Sequence, residues 1–157
     1  MHHSFRQYVD SLHPLFDRLL QMLPVTVATM PRDVPSQGIY LFSEHGRHLY
    51  VGRTQRQSIR ARMRQHCTPS ARQNEAVFAF KLARELTGNL RASYKTKGSR
   101  TSLVKDSEFI RAFLTAKERV RQMELRYVEE ADPLRQTLLE IYVGVVLKTP
   151  YNDFDTH

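Results

Sequence analysis

Apolar residues recur at two spacings along the chain, and the spacings predict helices alternating with strands. Residues 5–23 carry apolar side chains every three or four positions, which predicts an N-terminal helix that Pro14 kinks or divides. Two short apolar runs at 38–43 and about 48–52 flank a turn that contains Gly46. Glycine accepts the positive φ of a tight turn, so these runs predict an antiparallel hairpin.

The remaining elements follow from the same patterns. We expect a helix at about 57–66, a buried strand at 76–82, a helix at about 106–118, a strand at 119–129 and a helix from about 134 to 147. Asp106 is a candidate cap for the helix at about 106–118. Asp132 followed by Pro133 predicts a capped start for the helix that ends at about 147.

This order of elements predicts an α+β fold with a small, mainly antiparallel β-sheet flanked by helices. Residues 1–33 are interpreted as an N-terminal helical extension and linker. Residues 34–157 are interpreted as one domain, because a chain of 157 residues suits a single core. A polar and basic insertion around 87–118 is predicted to be mostly exposed.

The charge of the chain indicates a polyanionic partner. Lysine and arginine total 24 against 16 acidic residues, which gives a formal net charge of +8. Such a balance suits nucleic acid, although simple solubility would also explain it. The single cysteine excludes an internal disulfide, and no segment is long enough to span a membrane. We therefore expect a cytoplasmic protein that does not bind membranes.

Arg62 lies in an unusual position on its predicted helix. A helical wheel places it on the apolar side with Ile59 and Met63, whereas a solvating arginine would lie opposite. Arg62 is therefore expected to point at the sheet, where Tyr40 and Tyr50 lie. A guanidinium held there can bind two phosphate oxygens at once. The alternative is an arginine that packs its stem on the core or pairs with a buried acid.

Glu140 is the second unusual residue. It is the only carboxylate in the narrow polar strip of an otherwise apolar helix at 134–147. Gly144 lies one turn later and is expected to leave space beside the carboxylate, since glycine inside a helix needs a packing or access reason. A hard oxygen ligand beside a gap suits Mg²⁺. The alternative is a glutamate on a solvated edge.

A wider set of motifs joins these residues. Gly38-Ile39-Tyr40 and Tyr50-Val51-Gly52 lie in adjacent strands, Arg62 and His66 lie one helical turn apart, Glu140 lies in a late helix, and Pro150-Tyr151-Asn152 follows it. Each tripeptide alone is a weak signal, but the ordered set is specific. Over about residues 34–153 it resembles the GIY-YIG nuclease superfamily.

The resemblance implies a metal-dependent endonuclease that hydrolyses DNA phosphodiester bonds with one divalent cation, Mg²⁺ or Mn²⁺. Glu140 would hold the cation, and Arg62 would stabilise charge on the phosphoryl oxygens. Tyr40 would be the general base or position the water, and Tyr50 would hold the phosphate or water; which tyrosine is the base stays open. His66 would assist proton transfer or contact the phosphate, and Asn152 would orient its neighbours.

The remaining predicted site residues are basic. They are expected to position the nucleic-acid strand through phosphate contacts and comprise Arg53, Arg56, Arg60, Arg64, Lys95, Lys97 and Arg100. Arg60 also rivals Arg62, because the segment before this helix is about two residues longer than the family pattern. DNA is the expected partner, with RNA as an alternative. An inactive nucleic-acid-binding module of the same fold and an interaction protein with incidental charge are the competing functions. The oligomeric state stays open.

Overall fold

A computed structural model describes residues 1–89 and 97–154. The fold is α+β, as predicted. Its elements in chain order are α1 (His3–Asp10), α2 (His13–Gln21), β1 (Gly38–Glu44), β2 (Arg47–Arg53), α3 (Ile59–Cys67), α4 (Val77–Leu86), α5 (Arg100–Leu103), α6 (Ser107–Gln122), β3 (Glu124–Glu129) and α7 (Pro133–Leu147).

The three strands form one antiparallel sheet in the order β2-β1-β3. The predicted hairpin is β1 with β2. Tyr40 of β1 lies opposite Gly52 of β2 and opposite Tyr127 of β3. Because strand residues point alternately to the two faces of a sheet, these three residues share one face. Leu41 and Val51 share the other face, and both are fully buried.

The chain forms two compact units. The first contains residues 1–62 and 123–157, and the second contains residues 63–122. The core of the first unit joins α2, the buried face of the sheet and α7; its buried members are Leu12, Leu15, Phe16, Leu19, Ile39, Leu41, Val51, Val128, Leu139 and Val143. These boundaries differ from the one expected near residue 33, and the assignment of functional domains stays a prediction.

The N-terminal helix is divided near Pro14. Pro14 lies in the first turn of α2, where its missing N–H leaves no hydrogen bond broken. None of the residues of α1 is buried, whereas α2 buries Leu15, Phe16 and Leu19. The second part of the predicted helix is therefore a component of the core.

The strand predicted at 76–82 is wrong, because these residues belong mostly to α4. A short apolar run fits a buried strand and a buried helix equally well. The residues that follow are good helix formers and extend the helix to Leu86. Within the second unit, Phe80 of α4 packs against Phe109 and Phe113 of α6, with ring centroids 5.0 and 5.7 Å apart.

The strand predicted at 119–129 begins too early. The helix α6 continues to Gln122, and β3 starts only at Glu124. One helical face continues through the buried positions Phe113, Ala116 and Val120. The alternating apolar residues that follow obscured this helical spacing in the sequence.

Asp106 caps α6, as predicted, since its Oδ1 accepts a hydrogen bond from the backbone N–H of Phe109 at 2.9 Å. The preceding basic segment contains the short helix α5, whose Leu103 is buried while Lys97 and Arg100 are exposed. Residues 90–96 lie outside the described residues, so the exposure predicted for that part of the basic segment stays a prediction.

The polar strip of α7 faces inward. Gln136 is 1% exposed, Gly144 is buried, and the side chain of Glu140 is 21% exposed. On the outer side, Ile141 and Val145 are 43% and 62% exposed. Besides its core residues Leu139 and Val143, this helix thus buries polar groups, and it exposes some of its apolar ones. None of the helices in residues 1–89 and 97–154 is long and apolar enough to cross a membrane.

Glu140 lies in α7, and the N-terminal cap of this helix can be tested by mutation. The Oδ1 of Asp132 accepts from the backbone N–H of Arg135 at 2.7 Å, and Pro133 occupies the first turn. Replacing Asp132 with alanine leaves a helix-end donor unsatisfied and is expected to lower the free energy of unfolding by about 0.5–2 kcal/mol in urea denaturation. Asp132→Asn should retain most of the stability, because asparagine caps equally well. Equal losses in both variants would contradict a capping role.

Candidate active site

The hairpin places Tyr40 and Tyr50 on one face of the sheet, with ring centroids 6.5 Å apart. The glycines beside them are required by close packing. A Cβ at Gly52 would collide with the Tyr40 hydroxyl, and a Cβ at Gly38 would collide with the backbone carbonyl of Val128. The protein itself therefore fills the space beside each of these glycines.

Arg62 is the arginine that the helix α3 brings to the tyrosines. Its Nε donates to the Tyr40 hydroxyl at 3.2 Å, and the Tyr50 hydroxyl is hydrogen-bonded with Arg62 and Tyr40. Arg60, the rival, donates instead to the backbone carbonyl of Pro31. The geometry thus agrees with the choice of Arg62 made from the helical spacing.

Both tyrosines hold their protons strongly. Burial raises the pKa of Tyr40 far above its ordinary value, and the nearby Tyr50 raises it further, although Arg62 lowers it. Burial likewise raises the pKa of Tyr50, against the opposing effect of Arg62. Tyr40 is only 1% exposed, whereas Tyr50 is partly exposed. The positive charge of Arg62 favours the ionised form of Tyr40, but burial outweighs it.

Glu140 lies beside the same group. Its charge raises the pKa of both tyrosines, and burial raises its own pKa while Arg53 and Arg62 lower it. The Oε2 of Glu140 is 2.9 Å from the Nε of Arg53, with side chains 21% and 27% exposed. Four of the predicted residues, Tyr40, Tyr50, Arg62 and Glu140, therefore form one electrostatically coupled group in the first unit.

Gly144 does not leave open space beside Glu140, contrary to expectation. A Cβ there would come within 2.6 Å of the Phe154 ring, which occupies the position that the glycine leaves clear. The glycine allows the C-terminal segment to pack against α7.

Asn152 joins the C-terminal segment to the outer edge of β2. Its Oδ1 accepts from the backbone N–H of Val51 at 2.9 Å, and its Nδ2 donates to the carbonyl of Val51 at 2.7 Å. The neighbouring N–H of Tyr151 donates to the carbonyl of Leu49 at 3.2 Å. Asn152 thus holds the residue that lies between the tyrosine and the glycine of the second motif, as its predicted orienting role requires.

His66 lies beyond the boundary between the two units, in the last turn of α3. It is fully buried. Its predicted contact with phosphate, or its part in proton transfer, stays a prediction.

The basic residues predicted to contact phosphate are placed differently from one another. Arg53 pairs with Glu140 and Arg60 with a backbone carbonyl, as described above. Arg56 is exposed, and in the second unit Arg64, Lys97 and Arg100 are exposed as well. Lys95 lies outside the described residues. The exposed members are available to a polyanion, and their part in binding stays a prediction.

The side chains of the electrostatically coupled group can be compared with the ligands that divalent cations prefer. Among residues 1–89 and 97–154, no group of three or more histidine, cysteine or acidic side chains is arranged to hold a metal. Glu140 is a single, partly exposed carboxylate. The hydrogen-bonding side chains of Arg62, Tyr40 and Tyr50 belong to the same group. Such a site does not suit Zn²⁺, which takes several protein ligands, but fits Mg²⁺, which keeps most of its waters.

Two features of the site were missed at the sequence level. One is the pairing of Arg53 with Glu140, and the other is Tyr127, which lies opposite Tyr40 on β3 and has its pKa raised by burial. Arg53 follows directly after Gly52, so a basic residue at the strand end was the available signal. The position of Tyr127 depends on the register of β3, which the sequence does not give.

Comparison with known proteins adds no further assignment. No protein-family model, no curated protein and no solved structure matches this chain.

The raised pKa of Tyr40 predicts a dependence of stability on pH. The folded state keeps the Tyr40 proton at a pH where the unfolded chain releases it, so stability is lost as pH rises above about 10. In Tyr40→Phe this group no longer titrates, and the decline in the free energy of unfolding should be shallower by up to about 1.4 kcal/mol per pH unit. Urea denaturation between pH 9 and 11.5 (a range of about 2.5 units) measures both slopes. Parallel slopes would show that Tyr40 is not the responsible group.

The contacts of Asn152 predict a local effect. Asn152→Ala removes both hydrogen bonds to Val51 and should lower the free energy of unfolding by about 1–3 kcal/mol. Hydrogen exchange of the Val51 amide should accelerate more than exchange elsewhere in β2. Asn152→Asp keeps the acceptor but sets a carboxylate oxygen against the Val51 carbonyl, so its loss of stability should be at least as large as that of the alanine variant. Unchanged protection of Val51 in the alanine variant would disprove the anchoring role.

Proposed function

We propose that this protein is a metal-dependent endonuclease that hydrolyses DNA phosphodiester bonds at a one-metal site of the GIY-YIG type. One observation carries the proposal: the Arg62 guanidinium is held against the hydroxyls of Tyr40 and Tyr50, next to the carboxylate of Glu140. The group combines an anion-binding cation, two hydroxyls and a hard oxygen ligand. Hydrolysis of a phosphodiester uses these functions together.

Arg62 would stabilise the charge that develops on the phosphoryl oxygens. Its guanidinium is hydrogen-bonded with Tyr40 through Nε and also with Tyr50, so a phosphate would bind the fork beside these two hydroxyls. Since the pKa of Tyr40 is raised and its side chain is buried, its hydroxyl orients Arg62 and does not act as the base in this state. The role of general base that the resemblance implies for Tyr40 is therefore replaced by a role in orienting Arg62.

Tyr50 is the better placed of the two tyrosines to meet a water or phosphate, because it is partly exposed. Its pKa is also raised, so at neutral pH its hydroxyl donates or accepts hydrogen bonds in the neutral form. Glu140 would hold the cation, which when bound supplies acidification of a water and polarisation of the scissile phosphate. Positioning by Tyr50 and charge stabilisation by Arg62 are then the contributions of the chain itself.

DNA as the substrate is supported by the net charge of +8 and, within the first unit, by the exposed Arg56. Phosphate contacts of this kind position a strand and do not read its sequence. RNA remains the alternative substrate.

A second candidate function is nucleic-acid binding without cleavage. It is favoured by the ion pair of Arg53 with Glu140, which occupies the proposed cation ligand, and by the strongly held proton of Tyr40. The two functions share salt-sensitive binding of nucleic acid. They differ in whether any strand is cut.

The test is a cleavage panel. Duplex, single-stranded and branched DNA and an RNA are incubated with the purified protein and Mg²⁺ or Mn²⁺. We expect nicking or cleavage of DNA by the wild type, and a loss of about a hundredfold or more in Arg62→Ala and Glu140→Gln. Arg6→Ala and Asp10→Asn change the same charges on the exposed helix α1 and should cleave like the wild type.

Circular dichroism establishes whether each variant is folded. Salt-sensitive binding without cleavage of any substrate with either metal would support the binding module instead. Full cleavage by folded Glu140→Gln would refute the proposed site, whatever the substrate.

A further inference from the structure

Arg53 is held more firmly than an ordinary surface arginine. Its Nε lies 2.9 Å from the Oε2 of Glu140, and its Nη1 donates to the Oγ1 of Thr137 at 2.7 Å. The side-chain oxygen of Gln55 accepts from the same guanidinium when the amide is oriented to satisfy both of its ends. Three acceptors thus fix one guanidinium, and two of them lie one turn apart on α7.

The ion pair is also partly shielded from solvent, with side chains 27% and 21% exposed. Screening by water and salt is weaker there than at a fully exposed pair, so the contact with Arg53 competes effectively for the carboxylate. Phe154 fills the space at Gly144, so that space offers Glu140 no room for a ligand.

The charges of the group oppose a free cation. Arg53 and Arg62 contribute two positive charges and Glu140 one negative charge, a net of +1 for these three side chains. Among the described residues, no group of three or more acidic, histidine or cysteine side chains is arranged to hold a metal. A divalent ion would enter a site that is already positive, which Coulomb repulsion disfavours. A phosphodiester brings the missing negative charge and offers Arg53 another acceptor.

We propose that Arg53 makes cation binding at Glu140 depend on the nucleic acid: it holds the carboxylate in the free protein and releases it when a phosphodiester takes over the guanidinium. This inference rests on the proposed function for the identity of the two ligands. By linkage, a phosphodiester that draws Arg53 away raises the affinity of Glu140 for the cation, and the cation raises the affinity for the phosphodiester by the same factor.

The experiment measures Mn²⁺ binding directly, by the electron paramagnetic resonance signal of the free ion, without any cleavage. If Glu140 is released from Arg53 about one tenth of the time, Arg53→Gln should bind Mn²⁺ about tenfold more tightly than the wild type. Arg56→Gln is the matched control, since it removes an exposed positive charge nearby without touching Glu140. The double variant Arg53→Gln with Glu140→Gln should lose the gain.

A second arm adds a dinucleoside monophosphate, which carries one phosphodiester. It should raise the Mn²⁺ affinity of the wild type by a larger factor than that of Arg53→Gln, in which only Arg62 and the cation itself remain to engage the phosphodiester. Arg53→Lys, which keeps the charge but not the fork, should lie between the two and serves if Arg53→Gln proves unfolded by circular dichroism.

Equal Mn²⁺ affinities in Arg53→Gln and Arg56→Gln would overturn the inference, and so would weaker binding in Arg53→Gln, which would make Arg53 an orienting partner of the ligand. Absence of Glu140-dependent binding in every protein would overturn it as well. Failure of the proposed function has a different signature: Mn²⁺ binds as described, yet no nucleic acid is cut.

Discussion

The hydrogen bond from the Arg62 guanidinium to the Tyr40 hydroxyl connects α3 to the sheet. A buried tyrosine needs a partner for its hydroxyl, and a partly buried guanidinium needs an acceptor. Each group therefore satisfies the other. The contact is available only because Gly52 has no side chain, since a Cβ there would occupy the place of the hydroxyl. The motifs of the hairpin and of the following helix are thus parts of one packing arrangement.

The carboxylate of Glu140 completes this arrangement from the other side. It enters from α7, whose inner strip is polar, and it meets Arg53 at the end of β2. One carboxylate beside two arginines leaves these three side chains with a net charge of +1. The Arg53–Glu140 and Arg62–Tyr40 contacts already exist in the free state. The proposed chemistry would therefore begin with an exchange of partners.

Local signals were enough for much of this structure, and they failed where packing decides. The hairpin, the division at Pro14 and the cap at Asp132 follow from turn, proline and capping preferences, and the side of the helix that carries Arg62 follows from periodicity. The residues of α4 were mistaken for a strand, because a short apolar run has no period of its own. The neighbours of Gly144 and Glu140 could not be foreseen, since Phe154 and Arg53 reach them through tertiary contacts that no local pattern encodes.

The C-terminal segment has a consequence for how the molecule folds. Asn152 closes the outer edge of β2 at Val51, 101 residues earlier in the chain. During synthesis the hairpin exists long before this residue does, so its edge stays open to pairing with other strands until Asn152 has been made. The contact is of high sequence separation and is expected to form late. A nascent chain would therefore protect this edge of its sheet only after Asn152 has been made.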